Sequence, residues 1–286
     1  MKNYQKKNEA FLPDLATTQN NLGVLYITVG NLYKAKDFYK EVFKIYEKLS
    51  KKSEAFLPDL AMIQNNLGNL YVNLGDLYKA REFFEKALKI YEKLSKKNEA
   101  FWSNLAGAYN NLGILYLDLK KIPKALEYYE KALKIYKKLF KKNRGFLPDV
   151  TRVQNNLGIL YSDLGELTKA QEYYEKALKN YYSLGEKSPV FYKEELKVLL
   201  YYMIVLFKEK KWQEAGPYFC RYFELLVLFN IEEALESLWL KENAPFPSDN
   251  EQRALLDSIE FPACKEKTKE LLERVHQLFK QKETEL

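Results

Sequence analysis

The chain has 286 residues, with 46 Lys and Arg against 39 Asp and Glu and a formal net charge of +7. Hydrophobic residues make up 47% of the sequence, which is enough for a buried core and excludes a disordered protein. The near balance of the two charge signs indicates a mixed, solvated surface and argues against a nucleic-acid partner.

Neither the N-terminal residues nor the longest apolar run predicts a membrane partner. The first seven residues lack the apolar stretch of a signal peptide, and the run Val198 to Phe207 is too short to span a bilayer. Cys220 and Cys264 are the only cysteines, and their spacing is not that of a metal site. A chain of this length does not need a disulfide framework, so we predict a reducing, cytoplasmic location.

The first predicted element is a helix that recurs along the chain. The motif Asn-Asn-Leu-Gly occupies residues 20–23, 65–68, 110–113 and 155–158, and the spacing is 45 residues each time. Each copy opens about ten residues earlier, as at Phe11-Leu12-Pro13-Asp14, where proline tolerates the first helical turn and Asp favours the positive helix end. We predict that every copy begins with a helix, termed helix A, which runs from about Pro58 to Asn73 in the second copy.

A second helix, termed helix B, follows in every copy. Gly30, Gly75 and Gly165 end helix A in three copies, since glycine adopts the left-handed conformation at little cost. The third copy has Lys120-Lys121 instead, for which we expect a strained or different turn. Helix B of the second copy carries one apolar stripe at helical spacing: Leu77, Ala80, Phe84, Ala87, Tyr91 and Leu94.

These residues resemble the tetratricopeptide repeat family. Its pattern is Leu-Gly, then Tyr three residues after the Gly, then Ala with an aromatic residue four positions after it. The matching residues are Leu22, Gly23, Tyr26, Ala35 and Tyr39 in copy one; Leu67, Gly68, Tyr71, Ala80 and Phe84 in copy two; Leu112, Gly113, Tyr116, Ala125 and Tyr129 in copy three; and Leu157, Gly158, Tyr161, Ala170 and Tyr174 in copy four. The resemblance implies an all-α fold, a right-handed α-α superhelical solenoid of helix hairpins. We expect the small residues to let two helix backbones approach.

The repeats depart from the family pattern in length. The usual repeat has about 34 residues and ends in Pro, whereas this repeat has 45 residues and lacks that proline. Extended repeats with an Asn-Asn-Leu signature are similar to those of the kinesin light chain group and of some microbial sensor proteins.

The 45-residue period predicts the domain organisation. Residues 1–186 hold four repeats, at about 11–52, 56–97, 101–142 and 146–186; residues 187–229 form a degenerate fifth repeat and residues 230–286 form C-terminal capping helices. In that last segment we predict a helix from Ile231 to Lys241, a short helix after Ser248 and a last helix that starts at Pro262. Lys6 to Phe11 align with Lys51 to Phe56, the end of a helix B. We therefore expect either an array truncated at Met1 or an uncapped first helix that favours self-association.

The face of helix A opposite its core stripe is the candidate binding site. At 100° per residue, Ile63, Leu67 and Leu70 mark the core side, and the asparagines lie opposite. In the family's fold that face lines a concave groove, where amides bond a peptide backbone and aliphatic residues take apolar side chains. The predicted groove residues are Asn20, Asn21, Val24, Asn65, Asn66, Asn69, Asn73, Asn110, Asn111, Ile114, Arg152, Asn155, Asn156 and Ile159.

One alternative to this interpretation remains open. Some of these residues could pack between adjacent A helices, with one Asn of each pair bonding across repeats. The face has no regular Lys/Arg ladder, which argues against the dicarboxylate clamp of some chaperone-binding relatives.

The sequence gives little basis for catalysis. The single histidine, His276, lies on a predicted amphipathic C-terminal helix, and no nucleophile and base can be assembled around it. We predict no catalytic residue, no cofactor and no metal. The favoured hypothesis is a non-catalytic adaptor that binds a peptide or helical segment of a protein partner. The alternative is a sensor or regulatory segment of a larger signalling protein.

Overall fold

The computed structural model describes residues 11–229, 249–257, 259, 264–266, 268–270 and 273. They form two compact units, residues 1–146 and residues 147–286. The helices of the first unit are α1 (Leu12–Thr28), α2 (Leu32–Ser50), α3 (Leu57–Asn73), α4 (Leu77–Lys97), α5 (Trp102–Asp118) and α6 (Ile122–Lys142). The described helices of the second unit are α7 (Leu147–Asp163), α8 (Leu167–Gly185), α9 (Tyr192–Lys208), α10 (Trp212–Phe229) and α11 (Asp249–Asp257).

The first unit is a stack of three helix hairpins. Helices α1 and α2, α3 and α4, and α5 and α6 pair within hairpins, while α2 packs on α3 and α4 packs on α5. The all-α solenoid predicted from the sequence is therefore confirmed, and so is the predicted helix A of the second copy, which begins at Leu57 and ends at Asn73.

Short 3₁₀ turns connect one hairpin to the next. They lie at Glu54–Phe56, Glu99–Phe101, Arg144–Phe146 and Pro189–Phe191, each directly before an A helix. Ser53 Oγ accepts a hydrogen bond from the Ala55 amide at 3.2 Å, and Asn98 Oδ1 accepts one from the Ala100 amide at 2.9 Å. These caps fix the direction in which each hairpin leaves the previous one.

Inside each hairpin a ring from helix B lies against a glycine of helix A. A Cβ atom at Gly68 would lie 2.4 Å from the Phe84 ring, and one at Gly113 would lie 2.5 Å from the Tyr129 ring. A buried aromatic side chain therefore fills the space beside each of these glycines.

The turn between helix A and helix B keeps the same left-handed backbone conformation whether glycine or lysine occupies it. Gly30 and Gly75 adopt φ of 78° and 79°, and Lys120 adopts φ of 56° at the matching position. The strained turn predicted for the third copy is therefore confirmed, since a residue with a Cβ atom occupies the left-handed region.

The second unit continues the hairpin pattern. Helices α7 and α8 pair, α9 packs on α8, α10 packs on α9, and α11 packs on α10. Ala215 and Phe219 of α10 are fully buried, as the alignment with the earlier repeats predicts. None of the helices in the described part of the chain combines the length and hydropathy needed to cross a membrane.

The C-terminal predictions can be followed only in part. The short helix predicted after Ser248 is present as α11, Asp249–Asp257. The helix predicted from Ile231 to Lys241, the start of the last helix at Pro262, and His276 lie outside the described residues. The division into four repeats, a fifth repeat and a cap stays a prediction.

A disulfide joins Cys220 of α10 to Cys264, 44 residues later. The sequence analysis expected no such bond, because two cysteines so far apart meet only through the packing of the C-terminal segment. Disulfides are rare in reducing compartments. The predicted cytoplasmic location therefore stays a prediction, and this bond argues against it.

A candidate peptide-binding face

The outward faces of α1, α3 and α5 carry the predicted groove residues of the first unit, which we term the amide face. Asn66 Nδ2 donates a hydrogen bond to Asn20 Oδ1 at 3.1 Å, which links α3 to α1. This bond matches the alternative drawn from the sequence, in which one asparagine of a pair bonds across repeats. Part of the amide face therefore holds neighbouring A helices together.

Two asparagines at matching positions differ in accessibility. Asn110 is 1% exposed, so it belongs to the packing between helices and a surface ligand cannot reach it. Asn65 is half-buried, and its Oδ1 atom is buried without a hydrogen-bond partner among the described residues. A buried acceptor without a donor costs free energy, about 1–3 kcal/mol. This oxygen lies within the packing between helices, where a surface ligand does not reach it.

The open part of the amide face is uncharged. Asn69 and Asn73 are exposed on α3, and Val24 and Ile114 are 47% and 37% exposed on α1 and α5. Asn21 is exposed as well, while Asn111 is half-buried. These amides and aliphatic groups can bond a backbone and cover apolar side chains, but they cannot neutralise a charge.

Asp118, at the end of α5, is an exposed charged residue at the edge of the amide face. Burial raises the pKa of its carboxyl, and the nearby Lys120 opposes the shift. A desolvated carboxylate at the edge of the amide face would repel an acidic ligand.

The second unit carries the matching residues on α7. Arg152 Nη2 lies 2.8 Å from Asp149 Oδ1, so its charge is neutralised within the helix. Burial raises the pKa of Asp149, and Arg152 opposes the shift. Asn155 Oδ1 is buried without a partner in the described part of the chain, as in Asn65, and Asn156 and Ile159 are half-buried.

Sequence reasoning missed the glutamines that precede the asparagine pairs. Gln64 is 5% exposed, and the Oε1 atoms of Gln19 and Gln64 are buried without hydrogen-bond partners among the described residues. In the second unit, Gln154 Oε1 accepts from Asn180 Nδ2 at 3.0 Å. Gln19, Gln64 and Gln154 each stand directly before an Asn-Asn-Leu-Gly motif, and this recurrence could have identified them from the sequence.

The described residues contain no cluster of His, Cys, Asp and Glu side chains that could hold a metal ion. The chemistry of the amide face is therefore that of hydrogen bonding and apolar contact.

Comparison with family models identifies the protein family to which this chain is related. One model of the tetratricopeptide repeat matches residues 59–138 and 104–183, and a second matches residues 15–53. Together they cover more than half of the chain. The chain belongs to the tetratricopeptide repeat family. A search among curated protein sequences finds no significant match.

Several solved structures share this tetratricopeptide repeat fold. The apo form of RapI is 20% identical, with a TM-score of 0.64, over 85% of this chain and 81% of that chain. The Rap conjugation gene regulator of plasmid pLS20, in complex with the Phr* peptide, is 19% identical, with a TM-score of 0.61, over 94% of this chain and 78% of that chain. A putative kinesin light chain from Podosopora anserina, with nearly identical repeats, is 17% identical, with a TM-score of 0.56, over 78% of this chain and 99% of that chain. At these identities the likeness shows the fold.

Proposed function

We propose that this tetratricopeptide repeat protein is a non-catalytic adaptor that binds an uncharged peptide segment of a protein partner on its amide face. The observation that carries the proposal is the pair of exposed amides of Asn69 and Asn73, one helical turn apart on α3. Both amides can donate hydrogen bonds to a peptide backbone and accept hydrogen bonds from it.

The aliphatic residues supply the second part of the recognition. Val24, Met62 and Ile114 are 47%, 38% and 37% exposed, so part of their apolar surface is available to a ligand. We expect them to take apolar side chains of the bound segment. A mixture of backbone hydrogen bonds and apolar contacts is typical of peptide recognition by grooves.

The charge of the face sets the class of ligand. In the first unit its open residues are neutral apart from the Asp118 carboxylate at its edge, and in the second unit the Arg152 guanidinium already pairs with Asp149. Binding of the preferred peptide should therefore change little with ionic strength, whereas an acidic tail should bind poorly.

A similarly folded protein supports peptide binding as the mode of action. The Rap regulator of plasmid pLS20 is described in complex with the Phr* peptide. That regulator also favours the second candidate function, in which this chain is a sensor or regulatory segment of a larger signalling protein. Further Asn-Asn-Leu-Gly units upstream of Met1 in the natural reading frame would support the second candidate.

The test is a selection of peptides on the full chain, followed by calorimetry with matched variants. The Asn69→Ala, Asn73→Ala double variant removes two exposed amides, and alanine preserves the helix. The matched control is Lys89→Ala, at an exposed position of α4. We expect the double variant to bind selected peptides about tenfold more weakly, as the loss of two hydrogen bonds predicts. Equal affinity for the double variant and the wild type would remove the amide face from the binding site.

A further inference from the structure

A groove of about 400 Å³ in the second unit is lined by α8, α9 and α10, and we term it the α8–α10 groove. Leu178 of α8 and Leu199 of α9, which are 8% and 2% exposed, form its apolar floor. Tyr182 of α8 and Pro217 of α10 are exposed on its two sides. A cleft of this volume, with an apolar floor and a few polar groups, is typical of ligand sites.

The first unit shows what fills the matching place between two B helices. Tyr109 of α5 lies two 45-residue periods before Leu199. Its ring packs 5.9 Å from the Tyr128 ring of α6, and its hydroxyl donates to Glu92 Oε1 of α4 at 3.1 Å. Lys131 Nζ lies 5.6 Å from the centre of the Tyr109 ring. One aromatic ring therefore bridges α4 and α6, with a cation over its face and a carboxylate at its hydroxyl.

Between α2 and α4 the ring comes from a B helix instead. Phe43 of α2 meets the Phe83 ring of α4 edge-on at 5.8 Å. Phe43 lies three periods before Leu178. In the first unit the chain thus supplies a ring from the position of Leu178 or from that of Leu199, and in the α8–α10 groove both positions are leucine. None of the described residues after α10 lines this groove.

The neighbours of the missing ring are kept. Tyr218 and Arg221 of α10 lie two periods after Tyr128 and Lys131, and both line the α8–α10 groove. The Arg221 guanidinium lies 5.1 Å from the centre of the Tyr182 ring, which is within cation–π range. The groove therefore has the aromatic and cationic partners of a ring that the chain does not supply there.

A buried ion pair fixes the cation of this groove. Glu195 of α9 is 2% exposed and accepts hydrogen bonds from Arg221 Nε at 2.6 Å and Nη2 at 3.1 Å. The matching residues of the first unit, Leu60 and Leu105, are 8% and 9% exposed, so an apolar residue satisfies the packing at this position. A buried ion pair adds little stability over apolar residues of similar volume. The role that remains for Glu195 is to hold the Arg221 guanidinium beside the groove.

We propose that the α8–α10 groove binds a tyrosine or tryptophan side chain of a partner peptide, in the place that Tyr109 occupies in the first unit. The ring would pack against Tyr218 and beside the Arg221 guanidinium. Its hydroxyl or indole N–H would donate to Glu175, a carboxylate of the groove that accepts from Tyr202 Oη at 2.7 Å and has further acceptor sites. The site is separate from the amide face and does not depend on the function proposed for that face.

The rim of the groove favours a peptide over a free aromatic molecule. Glu175, Lys179 and Tyr182 are all exposed on α8. A small molecule in this open groove would stay partly in water, whereas a peptide that carries the ring gains further contacts along the rim. Glu175 and Lys179 have opposite charges, so the rim favours a peptide without a strong net charge.

The experiment is a ligand-observed NMR titration of the full chain with short peptides of Gly, Ser and Gln that carry one central Trp, Tyr, Phe or Ala. We expect the Trp and Tyr peptides to bind about tenfold or more tightly than the Ala peptide, because an aromatic side chain is buried. The Phe peptide should bind more weakly than the Tyr peptide, since it has no donor for Glu175.

Three variants locate the binding. Leu199→Tyr restores the ring found in the first unit and should abolish binding while the chain stays folded. Tyr182→Ala should weaken binding about threefold or more, and Tyr33→Ala, at a tyrosine that is 70% exposed in the first unit, is the matched control. The Glu195→Leu, Arg221→Met double variant replaces the ion pair by apolar residues and should fold, yet bind the Trp peptide about threefold or more weakly.

Several outcomes would overturn the proposal. Equal affinity of the Trp and Ala peptides, or wild-type affinity in both Leu199→Tyr and Tyr182→Ala, would do so. Absence of saturable binding would mean that the groove does not accept a peptide side chain. N-acetyltryptophanamide that binds as tightly as the Trp peptide would identify a free small molecule as the ligand. A dimer in sedimentation velocity that Leu199→Tyr abolishes would identify a second copy as the occupant. The Asn69→Ala, Asn73→Ala variant should still bind the Trp peptide, which separates this site from the amide face.

Discussion

Glycine inside an α-helix is destabilising by about 0.5–1 kcal/mol relative to alanine, yet the A helices α1, α3, α5 and α7 each keep one. The reason is a ring: Tyr39, Phe84, Tyr129 and Tyr174 lie so close to Gly23, Gly68, Gly113 and Gly158 that a Cβ atom would fall within 2.3–2.6 Å of them. These rings are at most 2% exposed and have no room to move away. The packing of one buried ring therefore outweighs the helix propensity of the residue beneath it.

Two glycines of α5 allow this explanation to be tested within one helix. Gly113→Ala should lower stability by about 1–3 kcal/mol, because the Tyr129 ring must shift in a packed interior. Gly107→Ala should raise stability by about 0.5–1 kcal/mol, because its nearest neighbour, Tyr136 Oη, would lie at an ordinary contact distance of 3.5 Å. Thermal unfolding followed by circular dichroism would show opposite shifts in Tm. Shifts of the same sign would contradict the role assigned to the ring.

The left-handed turn residue permits a stabilising substitution. Lys120 has φ of 56° where Gly75 has φ of 79°. Lys120→Gly should therefore raise stability by about 1 kcal/mol, as the cost of placing a Cβ atom in this region predicts. Chemical denaturation measures the change, and Lys121→Gly serves as the control for loss of a lysine. No gain for Lys120→Gly would mean that local contacts of the lysine offset the backbone strain.

At the scale of the element, two of the connecting turns are each tied by ion pairs to the B helix of the hairpin that they precede. Glu54 of the first connecting turn lies 2.5 Å from Lys93 Nζ and 3.0 Å from Lys97 Nζ, both at the end of α4. Glu99 of the next turn lies 2.6 Å from Lys142 Nζ at the end of α6. Each pair links residues about 40 positions apart and holds both ends of a hairpin together.

These pairs predict a measurable titration. Hydrogen bonds from Lys93 and Lys97 lower the pKa of Glu54 from 4.5 to about 2. Because the folded-state pKa is depressed, the ion pairs are fully formed above the ordinary carboxyl pKa and are lost only as the pH falls towards 2. The Lys93→Ala, Lys97→Ala double variant should return the Glu54 pKa to its ordinary range, as read by NMR titration. Glu99, whose pKa is lowered by Lys142, is the internal control and should not change.

At the scale of the whole molecule, the disulfide between Cys220 and Cys264 ties the C-terminal segment to α10. Closing a loop of 44 residues restricts the unfolded chain and typically stabilises a protein by about 2–4 kcal/mol. Wild-type protein in a reductant, and the Cys220→Ser, Cys264→Ser variant, should therefore both unfold at lower denaturant concentration. As a control, the reductant should not change the denaturant midpoint of the Cys220→Ser, Cys264→Ser variant. An unchanged midpoint for the reduced wild type would contradict a stabilising bond.

Much of the fold could be predicted from the sequence, and for a physical reason. Contacts in a repeat stack run between segments 45 residues apart or closer, so the periodicity of Leu, Gly and aromatic residues encodes most of them. The helix bounds around Pro58 and the strained turn at Lys120 followed directly. The disulfide did not, because no repeat relates Cys264 to Cys220.

The candidate site was less predictable than the fold. A helical wheel assigns Asn65 and Asn110 to one face, but the neighbouring helices decide that Asn110 is 1% exposed while Asn65 is half-buried. The cross-repeat bond from Asn66 to Asn20 likewise depends on how far one hairpin is rotated from the next. A helical wheel describes one helix at a time, whereas the accessibility of these amides depends on how two neighbouring helices pack.

The pairing of two connecting turns with their own hairpins also bears on what a change in repeat number would do. Glu54 pairs with Lys93 and Lys97, and Glu99 pairs with Lys142, inside a single 45-residue period. Duplication or deletion of either of these periods would carry its ion pairs with it and would leave the ion pairs of the other hairpin intact.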